Sequence, residues 1–456
     1  MGKTKTKHAQ REESMILRDY QTRALEAATS AFHSGCRSLL YVGPTGMGKT
    51  VLGVATVLAL GGRCLWLAHR QELIQQAADA IIRAGETPGI IAPWASPRDA
   101  RIQVGSVQTL LTRKLRPEAD IVVLDEAHHM VAEQWSQLAS HYPNRIGLTA
   151  TPERQDEVGL GNIFDKLIVV AQPKELIASG HLVPVRVLAP PTRNSKLAMD
   201  PGWAYVKHAG GCKAIVFMGT VAEAIDYAKR FNARDIPARA IIGEMDSEER
   251  VDAIDAFRNG DVKVLLSVYT LTEGFDVPDV GCAILARGFS SQASYIQAVG
   301  RAMRPAPGKS ESLIIDLVGA AMEHGLPDED RVFSLAGKGI ERKEKSILIR
   351  QCPQCGLVSR PKDSVCPACK FAFPKKKARG IQKQELEHLD PAKLEEITRE
   401  HVRVFLALQQ QVRRLPHVRK QQGYVLGQFY QRFGCWPSSN VIKRAGGWYG
   451  LRKEAA

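Results

Sequence analysis

From about residue 16 to residue 335, short apolar runs alternate with longer stretches in which apolar residues recur at helical spacing, and the alternation comes in two sets. The first set of runs is SLLYV, RCLWLA, IQVGS, DIVVLD and RIGLTAT; the second is KAIVFM, ARAII, VKVLLSV, CAILA and SLIIDLV. Runs this continuous predict strands buried on both faces, as parallel sheets require. Between them RQELIQQAADAIIRA, VAEAIDYAKRFNA and SEERVDAIDAFRNG carry the helical period. The pattern predicts an α/β chain with two tandem parallel-sheet domains, 15–190 and 213–340, joined by a linker at 191–212. The joining stretch APPTRNSKLAMDPG is rich in proline and poor in large apolar residues.

After about residue 340 the alternation stops. A cysteine-bearing segment at 350–372 leads through PKKKARG to a basic region at 380–456, with an amphipathic helix predicted from Pro391 to Arg414 and an aromatic end. Residues 1–14 are polar and read as a disordered leader. An apolar content of 44% is that of a globular chain, and no run of 18 apolar residues exists, so a soluble, cytoplasmic protein with no membrane partner is expected.

The net charge of +14 changes this picture through its placement. Residues 341–456 hold 24 Lys and Arg against 10 Asp and Glu, a surplus equal to that of the whole chain. A basic tail on a neutral body points to a polyanion, most simply nucleic acid, with a merely solubilising tail as the alternative.

Two stretches carry the chemistry. GPTGMGKT, Gly43 to Thr50, has the G-x-x-x-x-G-K-[ST] spacing and follows the strand-like SLLYV. Gly43, Thr45, Gly46 and Gly48 would turn backbone N–H groups around phosphates, Lys49 would meet the β and γ oxygens, and the Thr50 hydroxyl would ligate Mg²⁺. In DIVVLDEAHH, Asp125 and Glu126 stand at the carboxyl end of a short strand, where open α/β sheets place their ligands. Asp125 would hold Mg²⁺, and Glu126 would orient and deprotonate the attacking water. Together they predict ATP hydrolysis.

Further blocks fall in a fixed order: LRDYQ, LWLAHRQEL, VGSVQTL, GLTATP, AIVF, SVYTLTEGFDVP and YIQAVGRAMRP. With the two stretches above, the set resembles the superfamily 2 helicases over about 320 residues. The resemblance implies two RecA-like domains that clamp one ATP. It implies that Gln21, with Arg18 and Tyr20 nearby, recognises adenine, and that Gly274 and Asp276 line the cleft. Thr149 and Thr151 would relay the nucleotide state, with His128 and Gln297 as further coupling residues. Arg301 and Arg304 would act as arginine fingers from the second domain. Arg70, Ser106, Gln108 and Thr272 lie in blocks that hold a single strand by its phosphates. His69 is in one of those blocks and equally suits a packed histidine. The D-E-A-H form tilts the substrate toward DNA rather than RNA.

Cys352, Cys355, Cys366 and Cys369 form a C-x₂-C-x₁₀-C-x₂-C array, the spacing of a structural Zn²⁺ site. Cys36, Cys64, Cys212, Cys282 and Cys435 are scattered and read as packing residues. A motor followed by such a ribbon resembles the RadD-type and phage or prophage helicases, a likeness extended by APGK, LIIDL, HGLPD and RVFSL. The linker between the domains is shorter than in that group. In the tail, Tyr424, Phe429, Tyr430, Phe433, Trp436, Trp448 and Tyr449 interleave with Arg432, Lys443, Arg444, Arg452 and Lys453, as either a base-stacking surface or the core of a helical bundle.

The expectation is an ATP-dependent helicase or translocase with ATP, Mg²⁺ and structural Zn²⁺, acting on DNA in a repair, recombination or replication setting with replication or repair proteins as possible partners. The alternatives are an RNA-dependent ATPase and an ATP-gated binding switch.

Overall fold

Each of the ten apolar runs contains a strand in the computed structural model, which describes residues 16–95, 99–129, 133–152, 159–190, 196–268, 277–336, 350–351, 358–359, 365, 371–372, 386–413 and 421–447. The strands of the first domain are β1 (Ser38–Val42), β2 (Cys64–Ala68), β3 (Gly89–Ile91), β4 (Ile102–Ser106), β5 (Ile121–Asp125), β6 (Asn144–Thr149) and β7 (Lys166–Val169), of which β3 and β7 lie outside the runs. They form one parallel sheet in the order β3-β4-β2-β5-β6-β1-β7. Alternate residues of β1 go to opposite faces: Leu39 and Tyr41 join one apolar layer, Leu40 and Val42 the other. Burial on both faces is why these strands read as unbroken apolar runs.

The second domain contains β8 (Val185–Ala189), β9 (Ala214–Phe217), β10 (Ala238–Ile241), β11 (Val264–Ser267), β12 (Cys282–Leu285) and β13 (Ser312–Asp316). After a two-stranded piece, β14 (Arg350–Gln351) with β15 (Val358–Ser359), the chain returns as β16 (Glu387–His388). The sheet order is β10-β11-β9-β12-β13-β8-β16, parallel except for β16 against β8.

The boundary differs from the sequence reading. Val185–Ala189 was assigned to the first domain, but β8 pairs with β13 of the second sheet. Leu197, Ala198, Ala204 and Tyr205, assigned to the linker, are buried in the second core. The proline-rich composition is real, yet these few apolar residues fill the layer beside β8; residues 191–195 lie outside the described residues.

Helix Pro391–Arg413 matches its amphipathic period, and its first turn joins the second core through Leu394. Farther along, Phe405 packs with Phe429 of helix Gln421–Phe433 and with Val441 of helix Ser439–Arg444. Of the tail aromatics, Phe429 is thus core, while Trp436 stays 54% exposed against Tyr430. Trp448, Tyr449, Arg452, Lys453 and the four paired cysteines lie outside the described residues, as does the leader. Among the described residues no helix is long and apolar enough to cross a membrane.

Candidate nucleotide site between the two sheets

The loop after β1 turns into helix Lys49–Leu60 through Gly48, whose φ of 80° lies in the left-handed region. A side chain there would also strike the Gln21 amide, which lies 2.6 Å from an ideal Cβ position. Gln21 is buried, and its Nε2 donates to the Met47 carbonyl at 3.0 Å and to that of Gly48 at 3.3 Å. Tyr20 Oη donates to the same Met47 carbonyl at 3.0 Å, and Arg18 Nη1 donates to Tyr20 Oη at 2.8 Å. Arg18, Tyr20 and Gln21 therefore set the shape of the phosphate loop from behind, a role that their block in the sequence does not reveal.

Lys49 Nζ is folded back on the loop, donating to the carbonyls of Gly43 at 3.3 Å and Pro44 at 3.4 Å. Burial lowers its pKa; Glu126 and Asp125 oppose that shift, and Arg301 and Arg304 reinforce it. Asp125, at the end of β5, is raised to about 7, by burial first and the Glu126 charge second, with Lys49 opposing. A buried carboxylate in this state suits a divalent cation beside it. Thr50 opens the helix next to Lys49. Glu126 holds a positive φ of 52°, costly for a residue with a side chain and a feature that concentrates at functional sites.

The second domain reaches this loop through helix Gln292–Gly300 and the residues after it. Gly300 comes so close that an added Cβ would lie 3.2 Å from Thr45 Cβ. Arg304 Cγ lies 3.4 Å from the Cβ position of Gly46, and Arg301 is buried. A polar chain crosses between the sheets. Gln297 Nε2 lies 3.4 Å from His128 Nε2, and His128 Nδ1 lies 3.0 Å from Thr149 Oγ1 and 3.4 Å from Glu126 Oε2. Thr149 Oγ1 donates to the Thr151 carbonyl at 2.6 Å. Carboxylate, histidine, threonines and glutamine thus form one polar network that reaches from Glu126 to the second domain.

Lys309 was read only as part of APGK, and the structure gives it a larger part. Its Nζ donates to the carbonyls of Ala302 and Arg304, both at 2.6 Å, and to those of Val280 at 2.7 Å and Pro278 at 3.1 Å. It braces the segment that carries both arginines. Only the carbonyls gathered around its Nζ in the fold reveal this, since a lysine after Pro-Gly reads as an exposed turn.

The residues expected on the strand-binding face are dispersed at element ends. Arg70 precedes helix Gln71–Arg83 without a side-chain capping bond; Ser106 caps helix Val107–Arg113, accepting from Thr109 N and donating to Gln108 Oε1 at 3.2 Å. Ser106 is buried and Gln108 exposed. Thr272, Gly274 and Asp276 lie outside the described residues.

Residues 14–154 match the family "Type III restriction enzyme, res subunit", and residues 202–306 match "Helicase conserved C-terminal domain". The chain is 30% identical over 382 residues to the 51.5 kDa protein of a Lactococcus phage, covering 77% of this chain and 82% of that one. It is 24% identical to the DNA 3'-5' translocase XPB2 of Sulfurisphaera tokodaii, over 66% of this chain and 81% of the relative. Of the irc3 helicases of two yeasts it spans 57% and 52%. The Type ISP restriction-modification enzyme LlaBIII bound to DNA shares the fold with a TM-score of 0.53 at 21% identity, over 67% of this chain and 28% of that one. The chain belongs to the superfamily 2 helicases, with two RecA-like domains.

Proposed function

We propose that this protein is an ATP-dependent DNA translocase or helicase whose hydrolytic site forms between its two sheets. The single observation that carries the reading is the meeting of Arg301 and Arg304 from one domain with the Gly43–Thr50 loop of the other, opposite Asp125 and Glu126.

In this reading ATP is the substrate. The loop amides and Lys49 hold its phosphates, and Lys49 exchanges its contacts with the Gly43 and Pro44 carbonyls for phosphate oxygens. Thr50 and Asp125 would hold Mg²⁺, which supplies charge neutralisation at the phosphates when bound. Glu126 takes the proton of the attacking water. Arg301 and Arg304 stabilise the charge that spreads over the γ-phosphoryl oxygens, a contribution of about 10³ to 10⁵ in rate for such residues. The His128–Thr149–Gln297 network carries the change to the domain interface, and Arg70, Ser106, Gln108 and Thr272 hold the strand on which the domains step.

The relatives' printed activities on DNA support DNA over RNA. The cysteine array is proposed as a structural Zn²⁺ ribbon of the RadD type. In support, β14 and β15 bracket Cys352 and Cys355, and an antiparallel bridge from Val365 to Ala372 brackets Cys366 and Cys369. Repair or replication proteins are proposed as partners, and the cytoplasm as the setting.

The test is steady-state ATPase with no polymer, single-stranded, forked and duplex DNA, and RNA, each beside Glu126→Gln. Stimulation by DNA that the variant loses is expected. Stimulation by RNA alone, or none by any polymer, overturns the DNA-motor reading.

A further inference from the structure

The blocks HGLPD and RVFSL follow β13 of the second domain, yet their far end lies on the first. Leu326 is buried in the second core, whereas Phe333 and Leu335 pack against the first domain's layer that holds Leu160, Ile163 and Phe164. Exposure alternates along this stretch: Arg331, Phe333 and Leu335 are half-buried, while Val332, Ser334 and Ala336 are exposed, Val332 almost completely. A period of two means an extended strap laid with one edge on its neighbour.

Polar contacts fix its course. Gln172, on the first domain, donates from Nε2 to the Arg331 carbonyl at 2.7 Å and accepts from Arg331 N–H through Oε1 at 3.2 Å. Lys174 N–H donates to Asp330 Oδ1 at 3.2 Å, and Gly161 N–H to the Leu335 carbonyl at 2.9 Å. Arg331 is the crossing point, because its guanidinium turns back to donate to the carbonyls of Glu329 at 2.8 Å, Leu326 at 3.0 Å and His324 at 3.4 Å. The His324 carbonyl also accepts from Gln292 Nε2 at 3.0 Å, at the start of the helix that leads to Arg301. Beside the fingers themselves, Met303 is buried in the first domain's cluster with Leu176 and Leu182, and its carbonyl accepts from Val183 N–H at 2.9 Å.

We infer that residues 326–336 are an interdomain strap, and that Gln172 is a positioning residue which, through Arg331, sets how Arg301 and Arg304 meet the phosphate loop. The inference rests on the ATP site proposed above. It goes beyond it by making a side chain that touches neither ATP nor either arginine a determinant of the catalytic step. A carboxamide pairing with one residue's N–H and C=O acts as a strand rung, so the strap docks or lifts as a unit.

The test uses the full chain and two readouts. Amide hydrogen exchange, resolved to single residues, should show Gly161, Lys174 and Arg331 protected together in the wild type. Gln172→Ala should speed all three by about tenfold, as loss of one or two net hydrogen bonds gives. Acceleration at Arg331 alone would overturn the unit. In steady-state ATPase, Gln172→Ala should lower kcat by about tenfold at an unchanged affinity for a fluorescent ATP analogue, and should cost nothing more in an Arg304→Ala background. An equal loss in that background, or an unchanged kcat, would overturn the coupling. Phe333→Ala, which weakens the strap from its own side, should reproduce both patterns. If the wild type hydrolyses no ATP, the site assignment fails, while the exchange experiment still decides whether the strap docks as one piece.

Discussion

The two sheets share a topology but contribute to the site in opposite ways. The first presents a half-buried lysine and two adjacent carboxylates from its own strand ends and loop, all placed by contacts within that domain. The second presents arginines whose position depends on contacts made across the gap, Gly300 on Thr45 and Met303 in the neighbour's core, with Lys309 bracing the same segment from within the second domain. On the proposed function, the difference assigns phosphate binding to one domain and transition-state stabilisation to the pair, which ties hydrolysis to their juxtaposition.

The comparison breaks most sharply at Lys49. Lys49→Ala should lower ATP turnover by on the order of 10³ or more and weaken nucleotide binding, while far-ultraviolet circular dichroism stays unchanged. Normal binding of a fluorescent nucleotide would remove the loop from the site. Arg304→Ala should cost about 10³ in kcat with nucleotide affinity retained, since its contact comes from the other domain. A collapse of affinity in that variant would contradict the division of labour. Lys309→Met, which leaves four carbonyls without their shared donor, should reduce kcat by about tenfold and lower the melting temperature. A kcat equal to wild type would show that the arginine segment holds itself. Smallest is Glu72→Gln, which breaks the contact from Glu72 Oε1 to Arg250 Nε across the domains at 3.6 Å. For a partly exposed pair the change in kcat should stay within about twofold, and a large loss would mean that charge pairing, rather than packing, sets the juxtaposition.

What was legible in the sequence was short-range. A central strand is apolar throughout because both faces are covered, so all ten runs showed themselves. The short strands were not read: Gly89–Ile91 at one edge, Lys166–Val169 at the other, and β8 and β16 on the second sheet. The edge strands β3, β7 and β16, of two to four residues, have too little pattern to stand out, and the pairing partners of β7 and β16 lie far along the chain. The same limit hid the boundary at β8, where proline-rich flanks suggested a linker although hydrogen bonds to β13 decide the domain. In the tail, the alternation of aromatic and basic residues left two readings open, and packing assigned Phe429 to a core and Trp436 to the surface.

The sequence by itself determined the parallel α/β class, the phosphate loop, the acid pair and the order of the helicase blocks. Each depends on residues adjacent in the chain or on burial that one run can report. Only the tertiary structure decided that Gln21 shapes the loop from behind, that His128 joins Glu126 to Gln297, that Lys309 braces the arginines and that residues 326–336 cross to the first domain. The contacts of Gln21, Gln297 and Gln172 join groups 26 to 169 positions apart, and Lys309 reaches carbonyls 5 to 31 positions away. Their energy depends on distance and burial in the folded molecule, quantities that no local pattern of residues contains.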